Sequence, residues 1–528
     1  MTKRATVATA AEIQDGDMRQ VKVGDTDVLL TRVNGTFYAM GAHCTHYGAP
    51  LAKGALKGDR VVCPWHNSCY QVTTGNQLQP PGLDDLPRFQ VWVEDGAVIV
   101  EVPDDAPQEV VPPMAAHNPE ADPRTFAILG AGIAGANAAE TLRKIGFKGR
   151  IVLITAETDL PYDRTMLSKK YLAGKASEDA LPLRPPEFYP QHDIETLTAH
   201  PAKAVDPDSK TITFADGSTM AYDALLLATG GAVRQLDIPG MDLPRVFTLR
   251  SDQDSMAIAQ AAESVNRAVI VGSSFIGMET ASSLTQRGVQ VTVVSPESVP
   301  FEKTLGPDVG KLFQSVHEAN GVVFKLGSRA KAFEGNGSLN SVVLENGERW
   351  PADMAIVGVG VTPATGYLQG VELAGDRSIP TDEYLQVTDG IYAAGDIAQF
   401  PFWMMDGEPT RIEHWQLAAQ HGRVAAHNMV GQSVPFRGVP YFWTGQFDLK
   451  LRYIGHVEDW DEIVVDGDIS EKTFLAFYVK GDRILAVAGC NRDSDIAAIS
   501  ELMRLDRMPA VAQIQSSSLD WGAQLQAA

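Results

Sequence analysis

The chain is predicted to fold as several domains: an all-β unit at the front, two α/β units of strand–glycine-turn–helix type, and an α+β unit at the end. Three observations carry this. Short strand-like runs fill the first hundred residues; a complete strand, glycine turn, helix and second strand occurs twice; and a proline-rich stretch separates the first region from the rest. At 528 residues the length prior is roughly three to four domains.

In the front unit, residues 5–103, the runs Val28-Leu-Leu-Thr-Arg-Val33, Thr36-Phe-Tyr-Ala-Met40, Arg60-Val-Val62 and Phe89-Gln-Val-Trp-Val93 read as strands punctuated by turns such as Asn34-Gly35 and Asp95-Gly96. Residues 104–123 bring clustered prolines and acids without periodicity, so a semi-extended linker is expected. The alternation Phe126-Ala-Ile-Leu129, glycine turn, Ala136–Lys144 and Arg150-Ile-Val-Leu-Ile-Thr155 returns as Arg267-Ala-Val-Ile-Val271, glycine turn, Met278–Gln286 and Gln290-Val-Thr-Val-Val294. Repeating this unit implies two nucleotide sites. The expected boundaries are 124–251 with 376–435 for the first α/β domain, 252–375 for the second, and 436–528 for the α+β end, which carries no motif of its own.

Composition excludes several classes. The formal net charge of −22 repels nucleic acid and anionic lipid. No run of about 18 apolar residues is present, and Lys3 and Arg4 are followed by no apolar stretch, so neither a membrane span nor a signal peptide is read and a cytoplasmic protein is expected. The four cysteines, Cys44, Cys63, Cys69 and Cys490, are too few for a disulfide framework.

Three of them cluster with histidines. Cys44-Thr-His46 and Cys63-Pro-Trp-His66 lie sixteen residues apart, and two thiolates with two imidazoles can hold the two irons of a 2Fe–2S centre, one pair on each. A four-ligand zinc site is the competing reading, but its usual spacings differ. Both motifs resemble the Rieske ferredoxin family over about the first hundred residues. Members of its cytochrome-complex branch carry two more cysteines that form a disulfide. Here Tyr47-Gly-Ala49 and Trp65 stand in those places, so the likeness is to the lower-potential branch. Asn67 stands where glycine is common, and Cys69 reads as a small buried residue.

Gly130-Ala-Gly-Ile-Ala-Gly135, between a strand and a helix, has the glycine spacing that lets a pyrophosphate sit on a helix N-terminus. Glu157 follows Gly135 by 22 residues, where a carboxylate can take ribose hydroxyls. Leu160-Pro-Tyr-Asp-Arg-Thr-Met-Leu-Ser-Lys169, Leu225-Leu-Leu-Ala-Thr-Gly230 and Ile391-Tyr-Ala-Ala-Gly-Asp396 resemble segments of FAD-dependent ferredoxin reductases and apoptosis-inducing-factor-like flavoproteins, over about residues 124–500. That resemblance implies a Rossmann-like FAD domain with Gly130, Gly132, Ala134, Gly135, Glu157, Ala228, Thr229 and Gly230 around the cofactor. It further implies Arg164 and Lys169 at the flavin, Asp396 on the ribityl chain, and Trp415 at the pyrimidine or nicotinamide side.

The second turn, Gly272-Ser-Ser-Phe-Ile-Gly277, has Ser274 at the middle position, and Ser274, Phe275 and Ile276 open its helix. The resemblance pairs Glu279 with Lys169 beside the flavin, and assigns Gly358-Val-Gly360 to the chain's return from the NAD domain. Glu297, with no Arg or Lys between 295 and 300, favours NADH over NADPH. No cysteine lies in 160–172, so no redox dithiol follows the first nucleotide unit.

The reading is an NAD(P)H-dependent FAD oxidoreductase, with Lys169, Glu279 and Trp415 as catalytic residues, that passes electrons to its own 2Fe–2S cluster at Cys44, His46, Cys63 and His66. From there they go to an electron-accepting protein such as an oxygenase, ferredoxin or cytochrome. The exposed edges of His46 and His66 are the expected exit, and the chain is expected to be a monomer or homodimer without nucleic-acid or membrane partners. The alternative is a redox-sensing, apoptosis-inducing-factor-like interaction protein in which NADH controls conformation or dimerisation.

Overall fold

A computed structural model describes all 528 residues. The front domain holds two antiparallel sheets. Six strands run in the order Thr2–Thr9, Ala97–Pro103, Arg88–Glu94, Thr36–Gly41, Thr26–Val33 and Met18–Val23. A smaller four-stranded sheet, Ala55–Lys57, Arg60–Val62, Cys69–Gln71 and Gln77–Gln79, supplies the second motif. Cys63-Pro-Trp-His66 is the turn between two of its strands, and Cys44-Thr-His46 follows Thr36–Gly41.

Both α/β units form. In the first, Ile194–Leu197, Arg150–Ile154, Thr125–Leu129, Ala224–Leu227 and Ile391–Ala393 lie parallel, with Gln386–Thr388 antiparallel at the edge. In the second, Val246–Thr248, Met354–Val357, Arg267–Val271, Gln290–Ser295 and Val323–Leu326 are all parallel. The central strands read as unbroken apolar runs because both faces of a parallel sheet are covered. Val246–Thr248 belongs to the second sheet, ahead of the expected start at residue 252. A three-residue strand carries too little periodicity to be assigned from sequence. The end of the chain forms a five-stranded antiparallel sheet backed by the helices Asp493–Arg504, Val511–Ser516 and Trp521–Ala527. No helix is long and apolar enough to cross a membrane.

Residues 104–123 contain no helix or strand, but they are tied down. Val110 bridges to Asp85 of the front domain, and the amides of Ala115 and Asn118 donate to the carbonyls of Arg143 and Lys148 at 2.9 and 2.8 Å. The front domain is packed onto the rest. Ala55 and Val62 share an apolar core with Ile496 and Ile499 of the Asp493–Arg504 helix. Arg60 pairs with Glu501 at 2.8 Å. Arg184, 7% exposed, holds Asp84 of the front domain at 2.6 Å and Glu140 of the Ile133–Lys144 helix at 3.0 Å. Breaking such a buried pair by removing one partner costs about 3–5 kcal/mol, so this contact fixes the orientation of the front domain.

Candidate functional site

Cys44 and Cys63 are buried together, and the Cys63 thiol hydrogen-bonds Cys44. That bond takes Cys44 down to about 6, while burial holds Cys63 well above the usual thiol range. The Tyr70 hydroxyl lies 3.2 Å from the Cys44 sulfur and accepts the Thr45 amide at 3.0 Å. On the other side of the loops the Nδ1 atoms of His46 and His66 face each other at 3.1 Å. Burial pushes His46 down to about 4 and His66 well below its ordinary value, so both imidazoles are neutral, the form that binds iron.

No three His, Cys, Asp or Glu side chains converge on one point. The four residues form two pairs instead, sulfur with sulfur and nitrogen with nitrogen. A single tetrahedral zinc needs all four on one ion. A two-iron centre needs one pair on each iron, which this arrangement fits. Asn67 explains the glycine preference at its position: its φ is 63°, left-handed backbone that Asn tolerates better than most residues. Cys69 is fully buried.

The histidine loops pack against the reductase, and of the two rings His66 also lines a surface cleft. His46 stacks at 6.1 Å, ring to ring, on Trp415, the first residue of the Trp415–Met429 helix. His66 lies 4.3 Å from Trp443, and the two indoles are 6.1 Å apart. Tyr47 donates to Asp163 at 2.7 Å, and Tyr441 donates to the Trp65 carbonyl at 2.6 Å. Composition could not show this, because the contacts join residues hundreds of positions apart.

Next to these indoles lies the expected flavin region. Gly130 adopts φ 116°, and a Cβ there would stand 2.1 Å from the Ala228 carbonyl oxygen. The turn therefore closes directly on Ala228 and Thr229. Gly230 follows, beside Arg250, which pairs with Asp396 at 3.3 Å. Glu157 is held by Arg164 and by the Tyr162 hydroxyl at 2.6 Å. Gly135 packs on the Gly130 carbonyl and Ile128, and Ala134 on Gly422 of the Trp415–Met429 helix, whereas Gly132 faces open space. A cradle lined by small residues and free amides, with Arg164, Lys169 and Arg250 around it, fits an FAD pyrophosphate and flavin. The Trp415 indole N–H is buried without a partner at this place.

Lys169 meets Glu279 at 3.0 Å, joining the two α/β units. Glu279 also accepts Ser168 and, at 2.7 Å, Thr444. Trp443 and Thr444 thus sit on one strand, the first against His66 and the second on Glu279. Sequence reasoning missed Arg250, Trp443 and Thr444; the aromatic run Tyr441-Phe442-Trp443 was the available signal. The second glycine turn opens a cavity of 840 Å³, lined by Gly272, Ser274, Phe275, Glu297, Gly360 and, unforeseen, Arg329. Ile276 is 41% exposed on the first turn of that helix, and Gly277 packs on the Gly272 carbonyl.

Comparison with known proteins finds three family matches along the chain. Residues 124–422 match the family described as pyridine nucleotide-disulphide oxidoreductase, residues 3–90 the Rieske [2Fe-2S] domain, and residues 441–522 the reductase C-terminal domain. Apoptosis-inducing factor 3 of Mus musculus is 39% identical over 516 residues, covering 95% of this chain and 84% of its own. Putidaredoxin reductase of Pseudomonas putida is 32% identical over 389 residues, 72% of this chain and 92% of its own. The solved structure of the covalent putidaredoxin reductase–putidaredoxin complex superposes with a TM-score of 0.72 at 29% identity, covering 76% of this chain and 98% of that one. A ferredoxin reductase from Rhodopseudomonas palustris superposes equally, at 32% identity. The chain belongs to the pyridine nucleotide-disulphide oxidoreductase family, as an FAD- and NAD-dependent reductase that carries a Rieske 2Fe–2S domain at its front and lacks the redox dithiol of the family name.

Proposed function

We propose that this protein oxidises NADH and delivers the electrons, one at a time, through its own Rieske domain to an external one-electron acceptor protein. The observation that carries the reading is the packing of His46 on Trp415 and of His66 on Trp443, whose strand neighbour Thr444 holds Glu279 of the Lys169–Glu279 pair. FAD, when bound, would supply the conversion of a hydride's two electrons into the single electrons that an iron–sulfur centre takes. Cys44, His46, Cys63 and His66 would hold the cluster, with Tyr70 donating towards a ligand sulfur. Arg250 and Asp396 would position the ribityl side, and Gly130, Gly132 and Gly135 the pyrophosphate.

Lys169 and Glu279 would orient the nicotinamide and balance charge at the flavin. Thr444, Ser168 and the ammonium hold Glu279 in place, so that carboxylate is preorganised.

The test separates two steps. In His66→Ala, NADH should bleach the flavin in a single turnover as in the wild type, while reduction of a ferredoxin or cytochrome falls sharply. An unchanged rate of protein-acceptor reduction would remove the serial path and leave the Rieske domain a structural appendage.

A further inference from the structure

A cleft of 390 Å³ opens where the Rieske loops meet the reductase and the C-terminal sheet. Its lining includes Tyr47, Trp65 and His66 on one side, Ser283 and Gln286 on another, and Trp443 at its base. It also includes Lys169, Lys170, Lys175, Lys450 and Arg452, and no Asp or Glu at all. In a protein with 66 acidic residues and a net charge of −22, a concave surface with five cations and no acid is a local inversion of sign.

Three of the five cations are not consumed by internal pairs. Lys169 is held by Glu279. Lys170, however, lies over the Tyr47 ring at 4.8 Å, Lys175 reaches only the amide oxygen of Gln286, and Lys450 has no carboxylate partner. Arg452, 8% exposed, spends one end on Asp493 at 3.0 Å, and its Nε is buried without a partner. The walls add aromatic faces: Trp65 is 37% exposed, Tyr47 36%, and Trp443 packs on His66. Of the two loop histidines, His66 lines this cleft and His46 does not.

We propose that this cleft is a binding site for a small anionic, ring-bearing electron acceptor, taken up between the indoles and the lysines beside His66. This rests on the serial reading above for the source of the electrons, but not for binding. The volume lies within the range of small-ligand pockets, and a recessed, aromatic-lined space suits a planar ring better than the convex face of a protein. With an anionic quinone the balance is one NADH, one quinone and one solvent proton going to NAD⁺ and one hydroquinone. Two electrons leave the nicotinamide in the hydride and arrive on the quinone in two single steps.

The probe is anthraquinone-2-sulfonate, with uncharged 2-hydroxymethylanthraquinone as the control, on the full holoprotein. The triple variant K170Q/K175Q/K450Q removes exposed charges only. Calorimetry should show its dissociation constant for the sulfonate rising about tenfold, the sum of three exposed, solvent-screened charges. The KM for the sulfonate should rise in parallel, and that for the control should stay within about twofold. Bleaching of the flavin by NADH should keep its wild-type rate. A sulfonate that binds wild type and variant alike overturns the site. So does a sulfonate that fails to bind the wild type while an acidic ferredoxin loses affinity in the variant, because the face would then serve a protein. Calorimetric binding requires no electron transfer, so it is independent of His66→Ala, the variant on which the serial path stands or falls.

Discussion

The two glycine turns of the α/β units are near copies in backbone, share their first and last glycines and differ at the four positions between. Gly130 and Gly272 take φ 116° and 111°, and a Cβ on either would lie 2.1 or 2.2 Å from the carbonyl oxygen of Ala228 or Gly358. Gly135 and Gly277 each pack on the carbonyl of the first glycine of their own turn, at 1.9 and 2.2 Å from a hypothetical Cβ. These four positions are imposed by the chain itself. The middle position is not. Gly132 and Ser274 both have extended backbone that any residue adopts, and a Cβ at 132 meets nothing within 4 Å. Glycine at 132 therefore answers to a ligand alone. Serine at 274 would hold the phosphates of a bound nucleotide at a less intimate distance than glycine does. The difference fits a cofactor held permanently at the first turn and a cosubstrate that exchanges at the second.

Substitutions at the matched positions can break that comparison. The largest effect is expected for Gly135→Ala and Gly277→Ala, which drive a methyl group into a backbone carbonyl. Each should destabilise its unit by about 3 kcal/mol, seen as a lowered thermal midpoint of the apoprotein. Gly132→Ala comes next. It should leave the apoprotein midpoint unchanged within about 0.5 kcal/mol, while the ratio of flavin to protein absorbance collapses. An apoprotein midpoint that falls as far as for Gly135→Ala would show that 132 is a folding position and dissolve the distinction.

The Lys169–Glu279 pair is where the two units meet, and it sharpens the comparison by reporting on both. Lys169→Ala should slow flavin bleaching by NADH about 100-fold without changing the visible spectrum of the Rieske cluster. Glu279→Gln keeps the shape and removes the charge, so its loss should be smaller. Flavin reduction at the wild-type rate in Lys169→Ala would reduce the ion pair to a structural tie between the units.

Much of this was legible because it is local. Each glycine turn, its flanking strands and its helix lie within about thirty residues, and the spacing alone places the Gly130 and Gly272 turns. The Cys-x-His and Cys-Pro-x-His motifs likewise set their ligands on two short loops. What sequence could not give is the meeting of those loops with the reductase. The reductase face of the two loops stayed hidden because His46 and His66 have no sequence neighbour that reveals Trp415 or Trp443. Arg250 was missed for the same reason: its partner Asp396 is 146 residues away. The residues 104–123 carry the compositional mark of a linker, yet docking is decided elsewhere, by Arg184, Asp84 and Glu140, whose burial no local pattern announces.

The smallest effect concerns which nicotinamide the second turn admits. Glu297 follows the strand Gln290–Ser295 and accepts from the Ser295 hydroxyl, which also accepts the Ser273 hydroxyl at 2.8 Å. That chain of hydroxyls fixes a carboxylate where an adenine ribose would lie in the 840 Å³ cavity, where it can accept from free ribose hydroxyls and repels a 2′-phosphate. Arg329 and Lys303 line the same cavity and pull the other way, so the preference for NADH should be moderate, about tenfold in kcat/KM. Glu297→Ala should raise the KM for NADH about threefold and lower that for NADPH, because one of the carboxylates that repel the phosphate is then gone. Arg329→Ala in the same background should take the NADPH gain away. A wild-type preference for NADPH, or a Glu297→Ala variant with both Michaelis constants unmoved, would place the deciding contact at Arg329 and deny Glu297 its role.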